Sequence, residues 1–170
     1  DVKAVDLLEK LNCPLYKLAS FEINHFPLIK RITETKKPLI ISTGMSQIKD
    51  IDLAVNFAKK HGSKEIIILY CVSNYPSRVE DFNFKNIDII KKRYNCKVGF
   101  SDHSIDNRVA SAAILAGADY IEKHIALDNQ KIGFDIKFSL KGSEIKNFRE
   151  DIDVAWKLRG KNYFYSNKSE

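Results

Sequence analysis

Two histidines of this chain occupy positions from which both could bind the same metal ion. His103 and His124 lie 21 residues apart, each at the end of a short apolar run that predicts a β-strand. Adjacent strands run about 4.8 Å apart, so imidazoles at neighbouring strand tips can converge on one cation with bonds of about 2.0–2.2 Å. Two protein ligands leave positions for water and a substrate oxygen, as a catalytic metal needs. The alternative is a hydrogen-bonded histidine pair in a polar pocket, and spacing alone leaves both open.

Lys17 lies one residue inside the first apolar run. A lysine buried in a strand is costly unless it is paired. It can hold an anionic ligand, supply an amine for Schiff-base chemistry, or form a salt bridge to Glu22 or Glu122. In a regular strand Lys17 and Ser20 point to opposite faces, so the two residues share a site only if the chain bends near Ala19.

Three serine hydroxyls, those of Ser20, Ser42 and Ser101, come at the ends of three different predicted strands. Each serine alone is typical of a turn or a cap, but together with Lys17 the three can form a phosphate cradle. The sequence has no GxGxxG, no P-loop and no GxSxG motif, which argues against nucleotide binding of those kinds and against a serine nucleophile elbow.

The elements that must position these residues alternate along the chain. Apolar runs predict five buried strands, and amphipathic segments between and around them predict helices. The predicted strands are residues 16–20, 39–42, 66–71, 98–101 and 120–124. Such β-then-α units require parallel strands with right-handed crossovers. A (β/α)8 barrel usually needs about 250 residues, so 170 residues fit its strands 4–8, and an open sheet fits as well.

Composition limits the classes of partner. The chain has 28 basic and 22 acidic side chains, a net charge of +6. Most of the basic residues are lysines scattered over predicted helix faces, which indicates a solvated surface and no nucleic-acid partner, although the surplus suits an anionic substrate. No apolar run approaches the roughly 20 residues of a membrane helix, and Asp1 begins no signal peptide. Cys13, Cys71 and Cys96 are an odd, widely spaced set, which predicts reduced thiols in a cytoplasmic protein.

Six motifs carry a resemblance that covers essentially the whole chain. They are YKLASFE at 16–22, KPLIISTGM at 37–45, LYCVSNYP at 69–76, VGFSDH at 98–103, IEKH at 121–124, and FSL at 138–140 after GFD at 133–135. In this order and at these intervals they closely resemble the sialic acid synthase family, which includes N-acetylneuraminate synthase and its legionaminic and pseudaminic acid relatives.

The resemblance implies a TIM-type barrel enzyme that condenses phosphoenolpyruvate with an N-acetylated hexosamine, releasing phosphate and a nine-carbon 2-keto sugar acid. It also implies a divalent metal, Mn²⁺ or Mg²⁺, and a domain-swapped homodimer whose C-terminal antifreeze-like domain closes the partner's site. Residues 1–158 would then be part of the barrel, and residues 159–170 the start of a linker to that domain. An isolated five-strand piece exposes two sheet edges, so we expect it to be inactive and prone to aggregate or dimerise.

The resemblance also assigns roles to individual residues. His103 and His124 match the metal ligands, and Glu22 matches a glutamate near the reacting carbons. Tyr75 and Asp135 match residues that grip the amino sugar, and Glu122 matches a position beside the metal on the substrate side. The residues that match the phosphoenolpyruvate site are Lys17, Ser20, Ser42, Ser73 and Ser101.

Two other functions are compatible with the same residues. One is a non-catalytic remnant that binds a sugar phosphate or acts as an interaction module, and the other is a Schiff-base aldolase that uses Lys17. The sequence does not indicate which amino sugar is the acceptor or which divalent metal is used.

Overall fold

A computed structural model describes residues 1–161 of the chain. Five parallel strands form one sheet: β1 Tyr16–Leu18, β2 Leu39–Ser42, β3 Ile66–Cys71, β4 Lys97–Asp102 and β5 Tyr120–Lys123. The helices are α1 Val2–Lys10, α2 Phe26–Glu34, α3 Ile48–Lys60, α4 Lys85–Tyr94, α5 Arg108–Leu115 and α6 Ile145–Arg159. All five predicted strands are confirmed. β1 ends two residues before its predicted end and β5 one residue before, whereas β4 is one residue longer at each end than predicted.

The order of the strands decides between the two architectures that the sequence left open. The sheet runs β1-β2-β3-β4-β5 in chain order, with every neighbouring pair parallel. A doubly wound sheet reverses its strand order at a switch point, and this sheet does not. Right-handed crossovers that always advance in the same direction place the helices on one face of the sheet. The architecture is therefore α/β, part of a parallel (β/α)8 TIM-type barrel with five strands present, as predicted.

The main core lies between the helices and the outer face of the sheet. Leu18, Ile41, Ile68 and Phe100 point to that face and are completely buried, as is Ile29 of α2. Burial of each such side chain contributes about 1.5–3 kcal/mol. This packing fixes the register of the strands, because a shift of one residue would turn each of these apolar side chains toward the inner face of the sheet. The inner face is thus free to carry polar residues at its carboxyl-terminal end.

A second, two-stranded parallel sheet was not predicted. It consists of β6 Ile125–Ala126 and β7 Leu140–Lys141, and each strand is too short to show a hydrophobic period. The segment between them begins and ends beside the main sheet, because the Leu140 N–H donates to the His124 carbonyl at 2.8 Å. It includes the buried Phe138. The small sheet therefore anchors the two ends of residues 127–139 beside the end of β5.

The predicted linker is only partly visible. Helix α6 extends to Arg159, the first residue of the predicted linker, and most of that linker (residues 162–170) lies outside the described residues, so the domain boundary stays a prediction. Cys13, Cys71 and Cys96 are free. Across residues 1–161, no helix combines the length and the apolar character needed to cross a membrane.

Candidate active site

A cleft of about 150 Å³ opens on the inner face of the sheet, where the strands end. It brings together eight of the eleven residues that the sequence singles out. These are Lys17, Ser20, Ser42, Tyr75, Ser101, His103, Glu122 and His124. The other three, Glu22, Ser73 and Asp135, are not part of the cleft lining, but each is close in sequence to, or in contact with, a residue that is. Polar residues at this end of parallel strands are where α/β proteins bind their ligands.

The chain bends after β1, and this bend places Lys17 and Ser20 in the same cleft. The strand ends at Leu18, and a 3₁₀ turn begins at Ser20, so the face alternation of a regular strand stops between the two residues. Ser20 Oγ accepts the Gly44 N–H at 2.9 Å, which ties the turn to the end of β2. The bend that the sequence required near Ala19 is therefore present.

Lys17 is paired rather than buried alone. Its Nζ lies 2.8 Å from Glu122 Oε1, and its side chain is 36% exposed. The prediction that Lys17 is a buried cation is wrong in the extent of burial, because the cleft leaves the ammonium group partly open to solvent. Of the two carboxylates considered as salt-bridge partners, the contact is with Glu122.

Glu122 connects the cation to the hydroxyl of β4. Its Oε1 accepts the Ser101 hydroxyl at 2.6 Å as well as the Lys17 ammonium. Burial opposes ionisation, but the hydrogen bonds from Lys17 and Ser101 outweigh it and hold the pKa of Glu122 below its usual value. Glu122 is thus a carboxylate at neutral pH, and it fixes the direction of the Ser101 hydroxyl proton.

The His103 ring presents one nitrogen to the cleft with no proton on it. Its Nδ1 lies 2.9 Å from the Val72 carbonyl, and a carbonyl only accepts, so Nδ1 carries the proton. Nε2 lies 3.3 Å from Ser101 Oγ, whose proton is directed to Glu122. Burial lowers the pKa of His103, so the ring is neutral at pH 7. The Nε2 lone pair is therefore available as a ligand.

His124 has the same arrangement around a different acceptor. Its Nδ1 lies 3.3 Å from Asp135 Oδ2. The carboxylate can accept a hydrogen bond from Nδ1–H, which leaves Nε2 as the atom that can bind a metal ion. Metal-binding histidines usually have their second nitrogen engaged in this way. The His103 and His124 ring centroids are 5.5 Å apart and the rings are inclined by 64°. The two imidazoles thus converge, as their positions in the sequence predict.

These residues fit a divalent cation held by two imidazole nitrogens. Within residues 1–161, no group of three or more His, Cys, Asp and Glu side chains is arranged to hold a metal ion. The other ligands of such a cation would come from water, substrate or another part of the protein. A centre of this kind suits catalysis better than structure, since structural sites are closed by protein ligands.

Buried serine hydroxyls near the cleft lack hydrogen-bond partners. In the part of the chain that the structure describes, Ser42 Oγ and Ser73 Oγ are buried without a partner. A buried polar group left in this state costs about 1–3 kcal/mol, so an oxygen-rich ligand that accepts from Ser42 would remove a penalty. The absence of a side chain at Gly44 lets the Ser73 and Ser20 hydroxyls approach the end of β2, because a Cβ at this position would lie 2.0 Å from Ser73 Oγ and 3.0 Å from Ser20 Oγ.

Aromatic rings form a wall beside the histidines. The Tyr75 ring lies 4.3 Å from the His103 ring, and the Phe138 ring lies 5.1 Å from the His124 ring, both measured between centroids. Tyr75 is 48% exposed and Phe138 is 3% exposed. Tyr75 is thus placed to meet a ligand at the mouth of the cleft, while Phe138 packs behind His124. Phe138 belongs to the FSL motif, but neither the motif nor the residue's spacing predicts a role for it.

Two of the predicted carboxylates, those of Glu22 and Asp135, already have partners within the protein. Glu22 Oε2 accepts the Ala19 N–H at 3.3 Å, so this carboxylate closes its own turn. Asp135 contacts His124. Sequence reasoning also missed Asp102 and Lys123, which form a buried ion pair directly before the two histidines. The sequence feature that could have revealed this ion pair is the presence of opposite charges at the last positions of two neighbouring strands.

A sequence model of the NeuB family matches residues 1–163. The chain belongs to the NeuB family. It is 36% identical to the N,N'-diacetyllegionaminic acid synthase of Campylobacter jejuni over all of this chain and 52% of that protein. It is 37% identical to the pseudaminic acid synthase of Helicobacter pylori over 88% of this chain and 44% of that protein. The chain thus spans about half the length of the curated relatives it matches.

A solved structure shows the same fold. The chain resembles a crystal structure of N-acetylneuraminic acid (sialic acid) synthetase from Leptospira borgpetersenii in complex with citrate, with a TM-score of 0.94 and 29% identity. The match covers 99% of this chain and 59% of that one. The family predicted from the six motifs is therefore confirmed, and so is the partial TIM-type barrel.

Proposed function

We propose that this chain forms part of the active site of a nonulosonic acid synthase. The reaction condenses phosphoenolpyruvate with an N-acetylated hexosamine, N-acetylmannosamine or a relative, and releases phosphate. The named relatives make sugar acids of this type. The observation that carries the proposal is the meeting of the Lys17 ammonium, the buried Ser42 hydroxyl and the two converging imidazole rings around one cleft.

The cation and the hydroxyls suit the anionic substrate. Lys17 neutralises charge on phosphoenolpyruvate from a strand that holds its backbone in place. Hydroxyls donate hydrogen bonds to the phosphate and carboxylate oxygens, and bonds to charged oxygens are about twice as strong as those between neutral groups. The residues proposed for this role are Ser20, Ser42, Ser73 and Ser101. For Ser101 to donate to the substrate, its hydroxyl proton must turn away from Glu122 Oε1.

The imidazoles suit a divalent cation, Mn²⁺ or Mg²⁺. When bound, such a cation supplies Lewis-acid polarisation of the aldehyde oxygen of the open-chain amino sugar. The chain's own residues orient its ligands: the Val72 carbonyl holds the His103 ring, and Asp135 holds the His124 ring. Tyr75 and Asp135 flank the histidines on the open side, where they are placed to contact the hexosamine.

Two carboxylates are proposed to act near the reacting atoms. Glu122 lies between Lys17 and Ser101 and keeps its charge, so it can stabilise positive charge that develops on the substrate. Glu22 is proposed to orient the water that captures that cation. For this the Glu22 carboxylate must leave the Ala19 N–H, a part-buried hydrogen bond of 3.3 Å at the edge of a short turn.

Further properties belong to the same proposal. The resemblance alone suggests a homodimer and a C-terminal antifreeze-like domain that closes the partner's cleft, and the widely spaced cysteines suggest a cytoplasmic location. We also expect the 170-residue chain by itself to release no phosphate. Robust turnover by this isolated chain would contradict that expectation.

The test is phosphate release by the full-length protein with phosphoenolpyruvate and a panel of N-acetylated amino sugars. We expect release to require an amino sugar and a divalent metal, and to fall at least about 100-fold in His103→Ala, the upper end of the loss that outer-sphere changes cause. His61→Ala is the control, because His61 stacks on Phe57 at the end of α3, away from the cleft lining.

Absence of metal-dependent release with every sugar of the panel would overturn the synthase and favour the binding remnant. The Schiff-base alternative has its own test. Borohydride trapping with pyruvate labels Lys17 if that lysine forms an imine, and leaves it unlabelled if the synthase proposal is right.

A further inference from the structure

A buried ion pair cross-links the two strands that carry the histidines. Lys123 Nζ lies 2.8 Å from Asp102 Oδ2, and the two side chains are 3% and 0% exposed. Asp102 and Lys123 are register partners in β4 and β5, and each directly precedes one histidine. Because side chains alternate along a strand, the pair lies on the outer face of the sheet, behind the cleft.

Stability alone is a weak explanation for this pair. Two charges removed from water lose solvation that their attraction only partly restores, and apolar side chains of similar volume often stabilise a protein as well or better. The surrounding outer face is apolar, with Phe100 and Ile121 preceding the pair on the same two strands. What an apolar pair cannot reproduce is a set of directional hydrogen bonds.

Those hydrogen bonds hold the backbone that follows His103. Asp102 Oδ1 accepts both the backbone N–H and the hydroxyl of Ser104, at 2.8 and 2.6 Å. Lys123 Nζ donates to the Ser104 carbonyl at 2.7 Å. His103 is thus enclosed between two residues that are bound to one another and to Lys123. The same lysine is the residue before His124, so one buried cluster fixes the exit of both strands.

We propose that Asp102 and Lys123 are positioning residues that set the separation and inclination of the His103 and His124 rings. The inference rests on the proposed function for its metal, but its geometric part concerns the rings themselves. Neither residue touches the cleft. Both act through the backbone of the histidine that follows. On the inner face, the hydrogen bond between Ser101 and Glu122 links the same strands one residue earlier, so the histidines follow two cross-links, one on each face.

The experiment uses the full-length protein and three variants. Asp102→Asn keeps the shape and removes one charge. The double variant Asp102→Leu with Lys123→Met replaces both charges by apolar groups and keeps the site filled. Asp119→Asn is the matched control, since Asp119 lies just before β5 at its other end and pairs there with Lys91 and Arg159.

Two readouts are measured: the Kd for Mn²⁺ by titration followed by electron paramagnetic resonance, and the nuclear Overhauser effect between the His103 and His124 ring protons in metal-free protein. We expect Mn²⁺ binding to weaken about 10- to 100-fold in Asp102→Asn and in the double variant. We also expect the ring-to-ring effect to be lost in both, while Asp119→Asn keeps both signals. Equal thermal stability of the wild type and the double variant would separate positioning from folding.

A folded double variant with wild-type Mn²⁺ affinity and an intact ring-to-ring signal would overturn the proposal. Failure of both variants to fold would also overturn it, because the pair would then serve the stability of the sheet. If the wild type binds no Mn²⁺, the proposed function fails while the ring-to-ring signal still decides the positioning role.

Discussion

Replacing Gly44 by alanine tests the proposed phosphoenolpyruvate site by steric means. The new methyl carbon would lie 2.0 Å from Ser73 Oγ, 3.0 Å from Ser20 Oγ and 3.1 Å from Cys71 Sγ. Ordinary contact begins near 3.4 Å, so the Ser73 hydroxyl must move by about 1.4 Å. The present position of the Ser73 hydroxyl is thus incompatible with an alanine at residue 44.

The structure separates the cost in stability from the cost in binding. Overpacking typically costs about 1–3 kcal/mol, and we expect the lower end because the nearest atom ends a short, rotatable side chain. A lost hydrogen bond to a charged group costs about 1.5–3 kcal/mol, which corresponds to about 10- to 150-fold weaker binding of phosphoenolpyruvate. Gly44→Ala should therefore fold and yet bind this substrate poorly.

The assay is calorimetric titration of phosphoenolpyruvate into the full-length protein, together with the Tm. Gly142→Ala is the control, because the nearest atom to its Cβ is Asp128 Oδ2 at 3.3 Å, and neither residue lines the cleft. The control should bind as the wild type does. A Gly44→Ala protein that binds phosphoenolpyruvate within twofold of the wild type would refute the assignment of these hydroxyls to the substrate.

Three further changes have distinct expected outcomes. Gly99→Ala should lower the free energy of unfolding by about 3 kcal/mol or more in chemical denaturation, because its Cβ would lie 2.5 Å from Leu69 Cδ2 and 2.9 Å from the Tyr120 carbonyl oxygen; an unchanged midpoint would contradict the close approach of β4 to β5. Lys17→Met should raise the KM for phosphoenolpyruvate at least about tenfold, and an unchanged KM would exclude Lys17 from the anion site. The folded pKa of Glu122 lies below the unfolded value of 4.5, so the unfolded state binds more protons between these two values and stability rises with pH there. This contribution is complete above pH 4.5 and is lost as pH falls through the folded pKa, so Glu122→Gln should cost more stability at pH 7 than at about pH 3, and an equal cost at both pH values would contradict it.

The fold was predictable where the apolar pattern was strong. β3 is buried along its whole length, and its run of branched residues marks it without ambiguity. The end of β1 was not predictable, because Ala19 and Ser20 continue the pattern of a strand while the chain turns to let Ser20 accept the Gly44 N–H. Strand order was also invisible, since β-then-α units of this length occur in both barrels and doubly wound sheets.

The site was predictable as a set of residues but not as a network. Strand alternation placed His103 and His124 toward the cleft, and the structure brings them together. The contact of Asp135 with His124 depends on the path of residues 127–139, which carries no periodic signal. The ion pair of Asp102 with Lys123 required knowledge of the register between β4 and β5. Pairwise geometry across strands is what the sequence alone lacks.

The most direct measurement is anomalous diffraction from crystals of the full-length protein grown with Mn²⁺ and phosphoenolpyruvate. The account predicts one manganese peak bonded to Nε2 of both His103 and His124, with the phosphate against the Lys17 ammonium and the Ser42 hydroxyl. A manganese peak away from these two nitrogens, or a crystal with phosphoenolpyruvate in the cleft and no metal between the rings, would contradict it.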